Sequence, residues 1–156
     1  MYVPRAVVCL PTYNERENLE AMVRALGEVL DTSQDGVLVI DDSSPDGTGE
    51  IADRLAQELR WVSVLHRDLK EGIGPAYIAG FRRLLADGAE LILEMDCDFS
   101  HAPADVPRLI AAAADADLVL GSRYVNGGGT ENWGFVRRFV SRGGCLYAQV
   151  LLGVRV

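Results

Sequence analysis

The stretch Leu-Ile-Leu-Glu-Met-Asp-Cys-Asp-Phe-Ser-His, residues 91–101, is an apolar run that ends in two aspartates one residue apart. The run predicts a short buried strand, and Asp96 and Asp98 follow its C-terminal end. If the backbone stays extended there, side chains alternate, so both aspartates point to one side and Cys97 to the other. A divalent cation, Mg²⁺ or Mn²⁺, would relieve the repulsion between the two carboxylates, with phosphate as a further ligand. The alternative is a polar loop after a strand, where aspartate is common.

Similar apolar runs recur along the chain and alternate with amphipathic segments. They predict buried strands at residues 7–10, 37–40, 61–65, 91–95 and 118–120. Helices are predicted at residues 14–30, after residue 47, at 75–86, from 103 and from 135. Asn14 is the predicted N-cap of the first helix, with Glu17 in the capping-box position. Strands that are apolar on both faces and alternate with helices predict an α/β fold, a mostly parallel sheet with helices on both faces.

Length and composition indicate an ordinary globular domain. The chain has 156 residues, which is long enough to enclose a hydrophobic core. Of these residues 49% are hydrophobic and 24% charged, a composition unlike that of a disordered segment. Three cysteines without paired spacing favour a reduced, cytoplasmic setting over a disulfide framework or a zinc site. The N-terminal residues lack a signal-peptide pattern, and no apolar run approaches the ~18 residues of a membrane span.

The charge is unevenly distributed along the chain. The formal net charge is −8, but residues 1–121 carry 10 Lys and Arg against 22 Asp and Glu, whereas residues 122–156 carry five arginines and one glutamate. A basic C-terminal segment on an acidic body predicts an anionic partner at that end. Nucleic acid is disfavoured as a partner, because the acidic body would repel a phosphate backbone.

Polar side chains gather where the predicted strands end. In open α/β sheets, ligands bind outside the carboxyl ends of the strands. The candidate site residues at this edge are Tyr13, Glu15, Asp41, Asp42, Asp96, Asp98 and Arg123. Lys70, Gly72 and Gly74 lie at a predicted helix N-terminus. This end of the helix either faces a phosphate, or the glycines serve only a left-handed turn and tight helix packing.

Four motifs stand in a fixed order: Pro-Thr-Tyr-Asn-Glu at 11–15, Val-Ile-Asp-Asp-Ser-Ser-Pro-Asp-Gly-Thr at 39–48, Met-Asp-Cys-Asp-Phe-Ser-His at 95–101 and Gly-Ser-Arg-Tyr at 121–124. As a set they resemble the inverting family 2 glycosyltransferases of the GT-A (Rossmann-like) fold. The Asp-Asp-x-Ser-Pro-Asp-Gly-Thr form and the arginine-rich run at 132–143 resemble more narrowly the polyprenyl-phosphate (dolichyl-phosphate) mannose synthases. The resemblance covers nearly the whole chain.

The resemblance implies a role for each matching position. Pro11, Tyr13 and Glu15 would contact the nucleotide base and ribose, and Asp41 and Asp42 would hold the nucleoside, although alternation lets only one of them face it. Asp96 and Asp98 would meet the metal and the sugar diphosphate, with Asp98 catalytic and Ser100 a possible third metal ligand.

The implied reaction transfers mannose from GDP-mannose to a polyprenyl phosphate on the cytosolic face of a membrane. A phosphate acceptor is already ionised near neutral pH and needs cations rather than a general base. Arg123 and Arg137 are the predicted acceptor-phosphate ligands, with Ser141 in support and Arg123 also counted as catalytic. The segment from Phe135 predicts an amphipathic interfacial helix and peripheral membrane contact.

We expect one glycosyltransferase domain over residues 1–156, with a nucleotide-sugar-binding core at 1–125 and an acceptor loop and amphipathic helix at 126–156. The resemblance also implies further acceptor-site elements, so we expect the chain to be incomplete at its C-terminal end. Two alternatives stay open: a family 2 transferase that uses a UDP-sugar and a hydroxyl acceptor, and an inactive nucleotide-binding fragment. A Rossmann dehydrogenase is disfavoured, because no Gly-x-Gly-x-x-Gly follows the first strand.

Overall fold

The computed structural model describes residues 4–122 and 134–153, and the chain divides into two compact units, Met1–Asp115 and Ala116–Val156. The first unit alternates strands and helices. Its elements are β1 (Ala6–Thr12), α1 (Leu19–Val29), β2 (Gly36–Asp41), α2 (Thr48–Glu58), β3 (Val62–His66), α3 (Ile73–Asp87), β4 (Leu91–Glu94) and α4 (Val106–Ala112), with short 3-10 turns at Pro103–Asp105 and Ala113–Asp115. The second unit contains α5 (Phe135–Leu152). The predicted boundary at residue 125 stays a prediction.

The strands of the first unit form one parallel sheet in the order β3-β2-β1-β4. Val8 of β1 lies opposite Val37 of β2 on one side and Leu93 of β4 on the other. The chain therefore moves outward from β1 through β2 to β3 and then crosses to the opposite side of β1. Such a reversal creates a crevice at the carboxyl ends of the two strands that flank it. Here those strands are β1 and β4.

Side-chain alternation along β1 and β2 supplies the core on each side of the sheet. One face carries Val8, Val39 and their neighbours against α1, α2 and α4, and the other carries Cys9 and Ile40 against α3. All six residues of β2 are buried. The predicted α/β fold with helices on both faces is confirmed.

Helix α3 approaches the sheet closely at Gly80. A Cβ atom at this position would lie 2.5 Å from Cδ1 of Ile40 and 2.6 Å from Sγ of Cys9. Only a residue without a side chain allows this separation. Burial raises the pKa of the Cys9 thiol to about 12, so the thiol acts here as an apolar packing group.

Two predicted elements are wrong. Residues 118–120 form no strand, and Leu118 and Leu120 are 74% and 54% exposed, because a short apolar run becomes a strand only where a neighbouring strand pairs with it. The first helix begins at Leu19 rather than after Asn14, which has a φ of +59°. The backbone N–H groups of residues 14–16 donate instead to the loop after β2 and to Thr48 at the start of α2, so the predicted capping box does not form.

Candidate functional site

A cavity of about 300 Å³ opens at the carboxyl ends of β1 and β4, where the strand order reverses. It collects residues that are far apart in sequence but follow neighbouring elements of the sheet. The lining residues are Pro11, Thr12, Tyr13, Glu15, Asp42, Lys70, Gly72, Ile73, Ala76, Asp96, Cys97 and Asp98. Six of the predicted site residues are therefore brought together in one cavity.

The loop after β1 is fixed by the loop after β2. The backbone N–H of Asn14 donates to Oγ of Ser44 at 3.1 Å, and that of Glu15 donates to Oγ1 of Thr48 at 3.0 Å. The Thr48 hydroxyl in turn donates to Oδ1 of Asp46 at 2.6 Å. These bonds hold the segment that carries Tyr13 and Glu15 at the rim of the cavity, in place of the helical turn that the sequence predicted.

Asp42, and not Asp41, lines the cavity. Asp42 is 4% exposed, and both of its carboxylate oxygens anchor the loop between β3 and α3. Oδ1 pairs with the guanidinium of Arg67, and Oδ2 accepts from the backbone N–H of Gly72 at 3.2 Å. Arg67 also pairs with Glu71, which keeps the loop folded against the strand ends.

Asp41 faces α2 and β3 instead. Its Oδ2 lies 3.6 Å from Nδ1 of His66 and would be 3.0 Å from a Cβ at Gly49, while Oδ1 has no hydrogen-bond partner among the described residues. His66 also binds Asp53 through Nε2 at 2.8 Å, and that hydrogen bond raises the pKa of the imidazole. Asp41 therefore belongs to a buried cluster beside the cavity rather than to its wall.

Lys70 covers one face of the Tyr13 ring. Its Nζ lies 3.4 Å from the ring centroid, within the range of a cation–π contact. Both residues line the cavity. The acidic groups of the cavity wall and this cation together form a site for a molecule that carries negative charge and hydrogen-bond donors, such as hydroxyl groups.

Asp96 and Asp98 are held by different elements. Oδ1 of Asp96 accepts from the hydroxyl of Tyr77 in α3 at 3.3 Å, and its backbone N–H donates to Nδ1 of His101 at 3.3 Å. Oδ1 of Asp98 accepts from the backbone N–H of Ser100 at 2.9 Å. The Ser100 hydroxyl and that N–H lower the pKa of Asp98, which keeps it ionised.

Asp96, Cys97 and Asp98 all line the cavity, so the predicted opposition of Cys97 to the two aspartates is not observed. The extended backbone that the alternation assumed is absent, because β4 ends at Glu94 and residues 97–100 form bends. The Cys97 side chain also packs in the core. Cys97 is 3% exposed, and burial raises its pKa to about 12. Ser100, the predicted third metal ligand, is exposed, does not line the cavity and is bonded to Asp98. Its role as a metal ligand stays a prediction.

The carboxylates of Asp96 and Asp98 fit a hard divalent cation. A carboxylate has about four lone-pair sites, so the hydrogen bonds from Tyr77 to Asp96 and from Ser100 to Asp98 leave capacity for a metal ion. Within residues 4–122 and 134–153, no group of three or more His, Cys, Asp or Glu side chains is arranged to hold a metal. A cation at these two aspartates would complete its shell with water and with phosphate oxygens of a bound molecule, a common arrangement for Mg²⁺.

The predicted acceptor residues lie in the second unit. Arg123 falls outside the described residues, and Arg137 lies in α5 with its side chain outside them. Ser141, also in α5, is half-buried. Their assignment to an acceptor phosphate stays a prediction.

The motifs at the cavity are those of a known family. Residues 7–153 match the sequence profile of the family described as glycosyl transferase family 2. The chain belongs to glycosyl transferase family 2. The match includes all four motifs and the whole of α5.

Relatives in this family are mannosyltransferases by name. The chain is 47% identical to an undecaprenyl-phosphate mannosyltransferase of Micrococcus luteus and 47% identical to a polyprenol monophosphomannose synthase of Mycolicibacterium smegmatis, in each case over 97% of its own length. It is 38% identical over 93% of its length to a dolichol-phosphate mannosyltransferase of Pyrococcus furiosus. The chain spans 62%, 57% and 40% of these three relatives. The predicted resemblance to polyprenyl-phosphate mannose synthases is confirmed.

Solved structures share the fold of this family 2 chain. TarS of S. aureus superposes with a TM-score of 0.57 at 23% identity, covering 71% of this chain and 32% of TarS. Glucosyl-3-phosphoglycerate synthase of Mycobacterium tuberculosis, in complex with Mn²⁺, UDP and glucosyl-3-phosphoglycerate, superposes with a TM-score of 0.56 at 23% identity, covering 73% and 41% of the two chains. These similarities confirm the predicted GT-A type of fold.

Sequence reasoning missed two residues that shape the site. Arg67 pairs with Asp42, and Tyr77 binds Asp96, yet neither stands in a motif. A basic residue directly after β3 was the only available signal for Arg67. Tyr77 gave no signal, because an aromatic residue on a helix that packs against a sheet is ordinary core.

Proposed function

We propose that this chain carries the donor site of an inverting transferase that moves mannose from GDP-mannose to a polyprenyl phosphate. The observation that carries the proposal is the cavity between β1 and β4, which combines Tyr13 and Glu15 with Asp96 and Asp98. The acceptor class is supported by the names of relatives that are 47% identical.

The donor end of the proposed site lies at the loops after β1 and β3. The ring of Tyr13 packs on the base, and Glu15 accepts from ribose hydroxyls or base N–H groups. Pro11 completes this wall. Lys70 now covers the Tyr13 ring and would lie next to the bound nucleotide. Asp42 holds the loop that carries Lys70. Asp41 supports the C-terminal end of β2 from the buried cluster with His66 beside the cavity.

The diphosphate end lies at Asp96 and Asp98. A divalent cation, Mg²⁺ or Mn²⁺, would supply Lewis-acid stabilisation of the leaving diphosphate when bound. Asp96 and Asp98 would hold and orient the cation, and the hydrogen bonds from Ser100 lower the pKa of the Asp98 carboxyl group. The acceptor oxygen attacks the anomeric carbon from the face opposite the diphosphate, which inverts that centre.

The acceptor end is assigned to the second unit. A phosphate monoester has a second pKa of about 6, so it attacks without a general base. The cations that hold it beside the donor diphosphate are Arg123 and Arg137, with Ser141 in support. Arginine suits this task because its guanidinium fork matches phosphate oxygens.

Peripheral contact with the cytosolic membrane face is proposed for α5. Within the described part of the chain, no helix is long and apolar enough to cross a bilayer. Large apolar side chains of α5 recur at helical spacing on one face, each 63–73% exposed: Phe139, Val140, Leu146, Tyr147, Val150 and Leu151. An apolar helix face in a chain whose substrate is a lipid phosphate favours an interfacial position.

Calorimetry of GDP with Mn²⁺ tests the donor site. Asp98→Ala should weaken metal-dependent GDP binding by at least about tenfold, and Asp98→Asn should fail similarly because the amide lacks the charge. The matched control is Asp87→Asn, an exposed aspartate at the end of α3 that pairs with Arg83. Equal affinity in parent and Asp98→Ala would reject the metal site.

A transfer assay tests the reaction. Radiolabelled GDP-mannose is incubated with a polyprenyl phosphate, and the lipid product is recovered by organic extraction. Arg123→Ala should abolish transfer while the affinity for GDP stays within a few fold of the parent. Arg123→Lys should also transfer little mannose, because lysine keeps the charge but lacks the guanidinium fork. Transfer from UDP-sugars instead, or binding without transfer from any donor, would favour the alternative transferase or the inactive nucleotide-binding fragment.

Flotation with anionic liposomes tests membrane contact. Co-flotation at low salt that is lost in Phe139→Asp would support an interfacial α5. Leu69→Asp, an equally exposed apolar residue outside α5, is the control. Absence of co-flotation by the parent at low salt would count against the idea.

A further inference from the structure

Tyr77 lies in α3 and reaches the end of β4 with its hydroxyl group. The phenol oxygen donates to Oδ1 of Asp96 at 3.3 Å. The side chain is half-buried and packs in the core cluster between α3 and the sheet, where its ring contacts Phe81 at a centroid distance of 5.9 Å. Tyr77 does not line the cavity, so it acts on the site through Asp96.

We infer that Tyr77 is a positioning residue that fixes the carboxylate of Asp96 for the metal–diphosphate part of the donor. The inference rests on the proposed function, because it assigns a support to one of the two carboxylates of that site. It adds a residue that none of the sequence motifs contains.

Asp96 needs such a support more than Asp98 does. The carboxylate of Asp98 is held within its own loop by Ser100. The backbone of Asp96 is held by His101, but the hydrogen bond to its carboxylate comes from a different element, α3. Asp98 lines the same cavity, and repulsion between two carboxylates at one site opposes a fixed position of an unsupported Asp96 side chain.

A phenol is chemically suited to this task. Its hydroxyl donates one hydrogen bond without bringing a positive charge, so both aspartates keep their full negative charge for a cation. A lysine or arginine in its place would neutralise part of the site.

The packing of α3 fixes the distance between the phenol and β4. Gly80, less than one turn after Tyr77, brings the helix against Ile40 and Cys9 of the sheet. The N-terminal end of α3 is held by the bond from Gly72 to Asp42. Tyr77 therefore stands on a part of the helix that is anchored on both sides.

Calorimetry of GDP with Mn²⁺ on the 156-residue chain tests the inference. Tyr77→Phe keeps the ring and removes the hydroxyl, and we expect metal-dependent GDP binding to weaken by about fivefold to tenfold. Phe81→Leu is the matched control, because it disturbs the same ring contact without touching Asp96. It should lower the unfolding temperature while GDP affinity stays within about twofold of the parent.

Two further variants separate the hydroxyl from folding effects. Tyr77→Leu should weaken GDP binding by the same factor as Tyr77→Phe, although it costs more stability. In an Asp96→Ala background, Tyr77→Phe should change GDP affinity by less than about twofold, because the two residues act as one unit.

The outcomes distinguish the two levels of the proposal. If Tyr77→Phe binds GDP with Mn²⁺ as tightly as the parent does, the role of Tyr77 is overturned and the donor site stays intact. Equal weakening by Tyr77→Phe and Phe81→Leu also overturns it, since packing would then explain the loss. A parent without metal-dependent GDP binding overturns the proposed function and this inference with it.

Discussion

The ion pair between Arg67 and Asp42 offers a test of how the candidate site is held together. Both side chains are nearly buried, at 10% and 6% exposure, and the pair anchors the loop that carries Lys70. Arg67→Leu removes the guanidinium and keeps an apolar stem. Asp42 then stays buried, and among the described residues its carboxylate keeps the backbone N–H of Gly72 as its hydrogen-bond partner.

The magnitude follows from the burial of the remaining charge. Removing one partner of a buried pair costs about 3–5 kcal/mol, because an uncompensated charge stays behind. For a chain of this length each kcal/mol shifts the unfolding temperature by roughly 2–4 °C, so Arg67→Leu should lower it by about 6 °C or more. The double variant Arg67→Leu with Asp42→Asn should recover part of this loss, because it removes the stranded charge.

Urea unfolding of the parent and variants measures the effect. Arg83→Leu is the control, since its pair with Asp87 lies on the surface with both side chains 47% exposed. Such exposed pairs contribute about 0.3–0.5 kcal/mol. A decrease of less than about 1 kcal/mol in the free energy of unfolding of Arg67→Leu would refute the reasoning. So would a double variant whose decrease equals the sum of the decreases of the two single variants.

Three more predictions follow from individual contacts. Gly80→Ala should destabilise the protein by about 1–3 kcal/mol in urea unfolding, because its Cβ would overlap the sheet, whereas Gly74→Ala, with open space around it, should be neutral or stabilising by up to about 1 kcal/mol. The pKa of His66 is raised in the folded protein, so the stabilisation from its bond to Asp53 is fully present below the unfolded pKa of about 6.5. This stabilisation is lost as the pH rises through the folded pKa. Asp53→Asn should therefore lower the unfolding temperature near pH 6 and hardly change it near pH 9. Thr48→Val removes the buried hydroxyl that accepts from the loop after β1 and should cost about 1–3 kcal/mol, with weaker GDP binding in calorimetry; unchanged values in both measurements would contradict this.

The local pattern of the sequence determined the type and order of the elements. Four apolar runs became the four strands of the first unit, because residues that are apolar on both faces of a strand can be buried only inside a covered sheet. The same pattern located Asp96 and Asp98 directly after β4, at the strand end where the cavity opens. A ligand site at the carboxyl ends of the strands follows from the type of sheet, which the alternation of strands and helices predicts without knowledge of distant contacts.

The tertiary structure decided which of the candidate groups share a site and which local patterns are overruled. Asp41 and Asp42 are adjacent in sequence, yet only Asp42 lines the cavity, because Arg67 and Gly72 approach it from a loop 25–30 residues further along the chain. The pattern of residues 14–16 predicts the start of a helix, but their N–H groups donate to the loop after β2 and to the first residue of α2. Residues 118–120 have the composition of a strand and lack one to pair with among the described residues. Such contacts depend on where distant segments meet, and a pattern read over a few neighbouring residues carries no information about that.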